Sequence, residues 1–163
     1  MLPEVNTILY ACDLEGQTQS ALGHVMNLAL AHQAKVVVMH VLEPLGAQAT
    51  NMITNYLPEE TTKAMRDEAV KNINEKMREL LSDYINDNKE ALSALAHPPE
   101  TKIAQGVPYE AIIHVAEKVE ADIIVMNSRT HSRFGQMIIG STANKVIHHS
   151  NIPVLVVPIK AHK

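Results

Sequence analysis

The chain has 163 residues, of which 46% are hydrophobic and 20% charged, and its formal net charge is −4. This length and apolar content predict one globular domain over residues 1–163 with a sizeable core. No apolar run approaches the roughly 18 residues that a membrane-spanning helix needs. The N-terminus lacks the basic and apolar regions of a signal peptide. We therefore expect no membrane partner. Since the net charge is negative and the sequence has no strongly basic block, we expect no nucleic-acid partner either.

Cys12 is the single cysteine of the chain, so no internal disulfide can form. This cysteine usage is typical of a reducing compartment, and we expect a cytoplasmic protein. Cys12 lies in an apolar run, which favours a small core residue over a reactive thiol.

Five runs are predicted to be β-strands, and four of them are continuously apolar and rich in β-branched residues. They cover residues 7–12, 36–41, 101–105, 123–126 and 154–157, of which the third is the weaker one. Continuous apolar strands are expected when both faces of a sheet are covered. The pattern therefore predicts a parallel sheet.

Helical patterns fill the gaps between these strands. They cover residues 18–33, 59–86 and 108–119, and a last helix begins near Ser141. The alternation predicts an α/β fold: a doubly wound five-stranded parallel sheet of order 3-2-1-4-5 with helices on both faces. Residues 43–58 are predicted to be the longest irregular connection.

A ligand of such a sheet is expected beyond the carboxyl ends of the strands, where the strand order reverses between strands 1 and 4. Asp13 ends the first strand, and residues 127–140 follow the fourth. A carboxylate can accept hydrogen bonds from a ribose or an adenine edge, and free N–H groups at a helix start suit phosphate. Alternatively, Asp13 only orders a turn with Gly16 and Gln17, and Ser141 is an ordinary N-cap.

Four segments resemble the universal stress protein family and together cover nearly the whole chain. They are ILYACDLEGQTQSAL at 8–22, VVVMHVLEP at 36–44, GVPYEAIIHVAEKVEADIIVM at 106–126 and IIGSTANKVIHHSNIPVLVV at 138–157. The last two are the most specific, because chance agreement over both in this order is very improbable. The resemblance implies a cytoplasmic, homodimeric regulator of the stress response.

The resemblance also implies a site for ATP or AMP. Nucleotide-binding members carry Gly-x2-Gly-x9-Gly-(Ser/Thr) after the fourth strand, and both front glycines are replaced in this chain. The family's adenine and ribose contacts match a carboxylate after the first strand and a backbone position in the second. The predicted binding residues are Asp13, Val41, Met126, Asn127, Arg129, Thr130, Gly140, Ser141 and Thr142.

The replaced glycines are Asn127 and Thr130, while Gly140 and the residue after it keep the back half of the signature. Glycine permits positive φ and a close approach of phosphate to the backbone. A β-branched Thr130 makes positive φ costly, whereas Asn tolerates it better. We therefore expect ATP binding to be weakened, lost, made by a reshaped loop, or replaced by a ligand with fewer phosphates.

Cations near this loop leave two interpretations open. Arg129 and Arg133, with His131, either grip a phosphate through their side chains or form a solvated basic loop.

Other chemistry is poorly supported by the sequence. The adjacent His148 and His149 point to different sides of a helix, and no Cys-x-x-Cys or His-Glu-x-x-His is present, so we expect no metal. His40 is interpreted as a structural, hydrogen-bonded histidine. No nucleophile elbow surrounds Ser141, which favours a binding protein over an enzyme. Two alternatives remain: a dimeric interaction module without a nucleotide, and a slow ATP hydrolase with Asp13 as its base.

The fifth strand is predicted to lie at a sheet edge, because Pro153 and Pro158 bracket it. A bare apolar edge invites aggregation, so we expect it to be covered. A two-fold partner pairing through this strand covers it, and the family resemblance implies the same dimer. The strand residues are Val154, Leu155, Val156 and Val157. Alternatively, the tail at 159–163 folds back over the edge.

Overall fold

A five-stranded parallel sheet forms the centre of the computed structural model, which describes residues 1–14, 18–130 and 137–159. The strands are β1 (Thr7–Ala11), β2 (Lys35–Leu42), β3 (Glu100–Gln105), β4 (Ile123–Asn127), β5 (Arg129–Thr130), β6 (Met137–Ile138) and β7 (Val154–Val157). The main sheet has the order β3-β2-β1-β4-β7, which confirms the predicted 3-2-1-4-5 arrangement with β7 as its fifth strand. Because these strands are parallel, their carboxyl ends meet at one edge of the sheet.

Helices connect the strands and cover both faces of the sheet. They are α1 (Thr18–His32), α2 (Ala47–Tyr56), α3 (Glu59–Asp87), α4 (Lys89–Leu92), α5 (Pro108–Lys118) and α6 (Ser141–His149). The four predicted helices match α1, α3, α5 and α6, and the bounds differ only by the end fraying that helices commonly show. No helix in the described ranges is both long and apolar enough to cross a membrane.

Alternate strand residues supply the two halves of the core, as the two-residue period of a strand requires. On one face, Ile8, Tyr10 and Val125 pack with residues of α1 and α3. On the other face, Leu9 and Ile124 pack with residues of α5 and α6. Cys12 is 3% exposed and belongs to the first face, which confirms its assignment to the core.

Two connections differ from the prediction. Residues 43–58 were expected to be irregular, but they contain α2. Its apolar stripe is Ala49, Met52, Ile53 and Tyr56, spaced as on one helix face. The proline and glycine residues that flank this short stripe favoured a loop. Likewise, the connection after β4 contains a short antiparallel pair, in which Arg129 lies opposite Ile138.

Candidate functional site

A cleft of about 410 Å³ opens at the carboxyl edge of the sheet, where the strand order reverses between β1 and β4. Its volume lies within the range of about 300–1,000 Å³ that is typical of small-molecule sites. The ends of β1, β2 and β4 and the first turns of α5 and α6 form its wall. The topology thus places a cavity at the position expected from the strand order.

Six of the predicted binding residues line this cleft. They are Asp13, Val41, Met126, Asn127, Gly140 and Thr142. Ser141 lies in the first turn of α6 with an exposed side chain and is not among the cleft residues. Arg129 and Thr130 lie in β5, of which the structure describes the backbone and not the side chains. The suggested cations His131 and Arg133 lie outside the described residues altogether.

Asp13 is placed at the cleft by the early end of β1. The carboxylate is half-buried, and it interacts with other groups of the chain. The next residue, Leu14, has a φ of 61°, in the left-handed region that a branched residue rarely adopts. Such backbone strain is typical of ligand sites, where the surrounding structure holds it in place. The alternative partners of Asp13, Gly16 and Gln17, lie outside the described residues.

His40 ties the end of β2 to the end of β1. Its Nδ1 lies 2.7 Å from the Cys12 carbonyl oxygen, and the ring is partly buried at the cleft wall. Because a carbonyl oxygen only accepts, Nδ1 carries the hydrogen and donates it. This bond confirms the interpretation of His40 as a hydrogen-bonded structural histidine, although its place in the cleft was not foreseen.

Beneath the end of β4, a polar pair is inserted into the apolar core. The Tyr10 hydroxyl is fully buried and donates to Asn127 Oδ1 at 2.6 Å. Burial is the main reason why the pKa of Tyr10 lies far above its ordinary value, with smaller contributions from Cys12 and Asp13. The phenol therefore remains a donor. Tyr10 was not predicted, because only the register of β1 and β4 brings it to Asn127.

Asn127 Nδ2 is the one buried side-chain polar atom without a hydrogen-bond partner in the part of the chain that the structure describes. A buried donor left without a partner costs about 1–3 kcal/mol. The side chain that replaces the first glycine of the signature is therefore anchored at its oxygen and unsatisfied at its nitrogen.

The start of α6 supplies backbone donors to the cleft. Gly140 is the N-cap, with φ −61° and ψ 160°, and no side chain among the described residues caps the helix. The alternative that Ser141 is the N-cap is therefore wrong, since Ser141 is the first helical residue. An uncapped helix start leaves N–H groups free and carries a partial positive charge, which favours an anion. Thr142 and Ala143 bring this turn to the cleft wall.

Further cleft residues are apolar and escaped the sequence-based prediction. Met39 and Ile112 belong to the core face that packs with α5 and α6, and Pro108 starts α5. Their apolar character indicated core residues, and only their position at the carboxyl edge of the sheet shows that they also line the cleft. Within the described ranges, no group of three or more His, Cys, Asp or Glu side chains is placed to hold a metal ion.

Comparison with known proteins places the chain in a family. The model of the universal stress protein family matches residues 4–158. The chain is 31% identical over 157 residues to the universal stress protein YxiE of Bacillus subtilis, covering 93% of this chain and 98% of the relative. It is 27% identical over 153 residues to a universal stress protein of Methanocaldococcus jannaschii, covering 94% of both chains.

Solved structures share the fold. UspA from Lactobacillus plantarum has a TM-score of 0.70 at 21% identity, covering 96% of this chain and 99% of that chain. A universal stress protein in complex with cAMP has a TM-score of 0.60 at 21% identity, covering 95% and 98%. The Archaeoglobus fulgidus protein in complex with dAMP has a TM-score of 0.55 at 21% identity, covering 93% and 96%. From the family model and the curated relatives, this chain belongs to the universal stress protein family.

Proposed function

We propose that this protein is a cytoplasmic regulator of the stress response that binds an adenine nucleotide in the cleft and acts by binding, not by turnover. The observation that supports this most directly is the convergence of Asp13, the edge of β2 at Val41 and the uncapped start of α6 on one cleft of about 410 Å³. The buried, free thiol of Cys12 is in keeping with a reducing compartment.

The nucleoside half of the cleft comprises Asp13, His40 and Val41. The Asp13 carboxylate can accept hydrogen bonds from ribose hydroxyls. The N–H and carbonyl of Val41 complement the acceptor and donor on one edge of adenine. Apolar side chains of Met39 and Ile112 line the same cavity and can pack on the base. Polar contacts thus fix the orientation of the nucleoside, and apolar contacts supply buried area.

The phosphate half comprises Asn127, Gly140 and Thr142. The start of α6 offers backbone donors to an anion, but the positions of both front glycines carry side chains. This combination favours a nucleotide with one phosphate over ATP. The relatives solved with cAMP and dAMP support the same choice, because each of these ligands carries a single phosphate.

Calorimetric titration of the purified protein with AMP tests the proposal, with GMP as the matched control for base recognition. We expect micromolar binding of AMP and no measurable binding of GMP at the same concentrations. Thermal stability should rise in parallel, because AMP at 100 times its Kd adds about 2.7 kcal/mol to the folded state. If millimolar AMP gave no heat of binding and no thermal stabilisation, the proposal would be contradicted.

We further propose that the protein forms a homodimer through β7. This strand is an outer strand of the sheet, its sequence VLVV carries no charge, and Leu155 is 39% exposed. The opposite edge, β3, carries Glu100 and Lys102, and such charges protect an edge from pairing. The same dimer supports the alternative function of a protein-interaction module, should no nucleotide bind.

The chain after β7 leaves the outer edge available as far as it is described. The Ile159 N–H donates to Ser128 Oγ at 3.1 Å, on the β4 side of the strand. The last residues, 160–163, lie outside the described residues, so the alternative that the tail covers the edge stays a prediction.

Substitution at this edge tests the dimer. Light scattering after size exclusion should give twice the chain mass for the native protein and a monomer for Leu155→Lys. The control Gln105→Lys places the same charge on the opposite edge strand and should remain dimeric. A monomeric native protein, or a dimer that survives Leu155→Lys, would contradict the proposed interface.

A further inference from the structure

The hydrogen-bond ladder between β1 and β2 stops one step short of the cleft. The last paired residues are Ala11 and Met39, and the Cys12 N–H still donates to the Met39 carbonyl at 2.8 Å. In a parallel ladder, the next two bonds run from the Val41 N–H to the Cys12 carbonyl and from the Leu14 N–H to the Val41 carbonyl. Neither bond is present, although all of these residues are described.

A side chain takes the place of the first missing bond. The Cys12 carbonyl accepts from His40 Nδ1 at 2.7 Å. Cys12 is 3% exposed, so its carbonyl requires a partner within the protein. His40 thus supplies the Cys12 carbonyl with the partner that the Val41 N–H would supply in a continued ladder.

The second missing bond has a cause in the backbone. Leu14 has a φ of 61°, so the backbone leaves the extended conformation of a β-strand at this residue. The polar groups of Val41 point towards β1, because alternate residues of a strand bond to the same neighbour and Met39 bonds to β1. The N–H and carbonyl of Val41 therefore face a gap where β1 has ended, and this gap is part of the cleft.

We propose that His40 is a positioning residue of the nucleotide site. By holding the Cys12 carbonyl, it keeps the backbone edge of Val41 open for the nucleoside. The same bond fixes the peptide that leads into Asp13. This role rests on the proposed nucleotide function for its biological meaning, but the effect on Val41 is a property of the unliganded chain.

Three substitutions distinguish a role of His40 as a hydrogen-bond donor at a fixed position from a role in which its ring only fills space. His40→Asn keeps a nitrogen donor attached to the same side-chain carbon, Cγ, as Nδ1. His40→Gln keeps an amide but moves the donor one carbon further out. His40→Leu removes the donor and retains an apolar side chain. If His40 only filled space, His40→Asn would not be expected to keep the Val41 exchange rate and the AMP affinity that His40→Leu loses.

Two measurements on the full chain test the inference. Amide hydrogen exchange by NMR reports whether Val41 has acquired a ladder bond, and AMP titration reports the consequence for binding. In His40→Leu the freed Cys12 carbonyl should capture the Val41 N–H. Exchange of that amide should slow about tenfold or more, and the Kd for AMP should rise about tenfold. His40→Asn should stay within about threefold of the native protein in both.

The outcomes distinguish this inference from the proposed function. Equal exchange at Val41 in the native protein, His40→Asn and His40→Leu would overturn the role of His40 even if AMP binds. Absence of AMP binding to the native protein would overturn the proposed function, while the exchange comparison still decides the role of His40. If His40→Leu does not fold, His40→Gln replaces it, and the same slowing of Val41 exchange is expected.

Discussion

The proposed nucleoside half and the proposed phosphate half of the cleft differ in the elements that position them. The nucleoside half is made by strand ends, and it is held by the β1–β2 ladder and the 2.7 Å bond from His40 to Cys12. The phosphate half is made by the start of α6 and by Asn127, whose Nδ2 has no partner within the described residues. A site made from strand ends follows from the fold, whereas a phosphate site depends on individual loop residues. A chain of this fold can therefore keep the proposed nucleoside half while the proposed phosphate half diverges.

Removal of the Asp13 carboxylate should have the largest effect on AMP affinity, and the lost contacts should be those to the nucleoside. Hydrogen bonds to a charged group contribute about 1.5–3 kcal/mol, so Asp13→Ala should weaken AMP binding about 10- to 150-fold. The affinity for adenosine, measured by calorimetry, should fall by the same factor. Asp83→Ala, on the exposed surface of α3, serves as a control and should bind normally. A loss for AMP that adenosine does not share would place Asp13 in the phosphate half.

Placing glycine at both front positions of the signature should raise the affinity for the phosphates and leave the affinity for the nucleoside unchanged. In Asn127→Gly with Thr130→Gly, the backbone can approach phosphate oxygens, and one added charge-assisted hydrogen bond is worth about tenfold in affinity. ATP binding should therefore tighten about tenfold, with adenosine binding unchanged. An unchanged ATP affinity would mean that the native side chains are not what weakens this half.

Alkaline pH should destabilise the folded chain. Burial raises the pKa of Cys12 above its ordinary value of 9.0 and that of Tyr10 above 10.0. Both groups keep their protons in the folded chain after the unfolded chain has lost them. The unfolded state then binds fewer protons, so stability falls as pH rises above about 9, by up to about 1.4 kcal/mol per pH unit for each group.

Urea unfolding between pH 8 and pH 11 measures this loss. Tyr10→Phe should remove the part of the slope that begins near the ordinary tyrosine pKa, while the part due to Cys12 should remain. A slope that is the same in Tyr10→Phe and the native protein would show that the Tyr10 hydroxyl ionises as readily as a solvent-exposed one.

At neutral pH, Tyr10→Phe should have the smallest effect. It removes one intramolecular hydrogen bond, which contributes about 0.5–1.5 kcal/mol to stability. Addition of Asn127→Leu should recover part of that loss, because it removes the unpaired amide along with its partner. Chemical denaturation of the single and double variants gives the coupling between the two residues. Additive losses would mean that the 2.6 Å bond contributes little to stability.

Sequence patterns predicted the part of the molecule that depends on local rules. Continuous β-branched runs placed four of the five main strands, a weaker run placed β3, and the strand order placed Asp13 at the cleft. α2 was missed because proline and glycine flank its short apolar stripe. The bond of Tyr10 to Asn127 and the identity of Cys12 as the partner of His40 were missed for another reason: the first contact spans 117 residues and the second 28. Such contacts depend on strand register, which local composition does not reveal.

Calorimetric titration of the native protein with adenosine, AMP, ADP and ATP in one buffer tests the difference between the two halves most directly. The account predicts that adenosine supplies most of the binding free energy and that AMP adds to it. ADP and ATP should then gain less than about 1.4 kcal/mol, or tenfold, over AMP. Affinity that rises tenfold or more with each added phosphate would contradict the account, as would tight ATP binding without detectable adenosine binding.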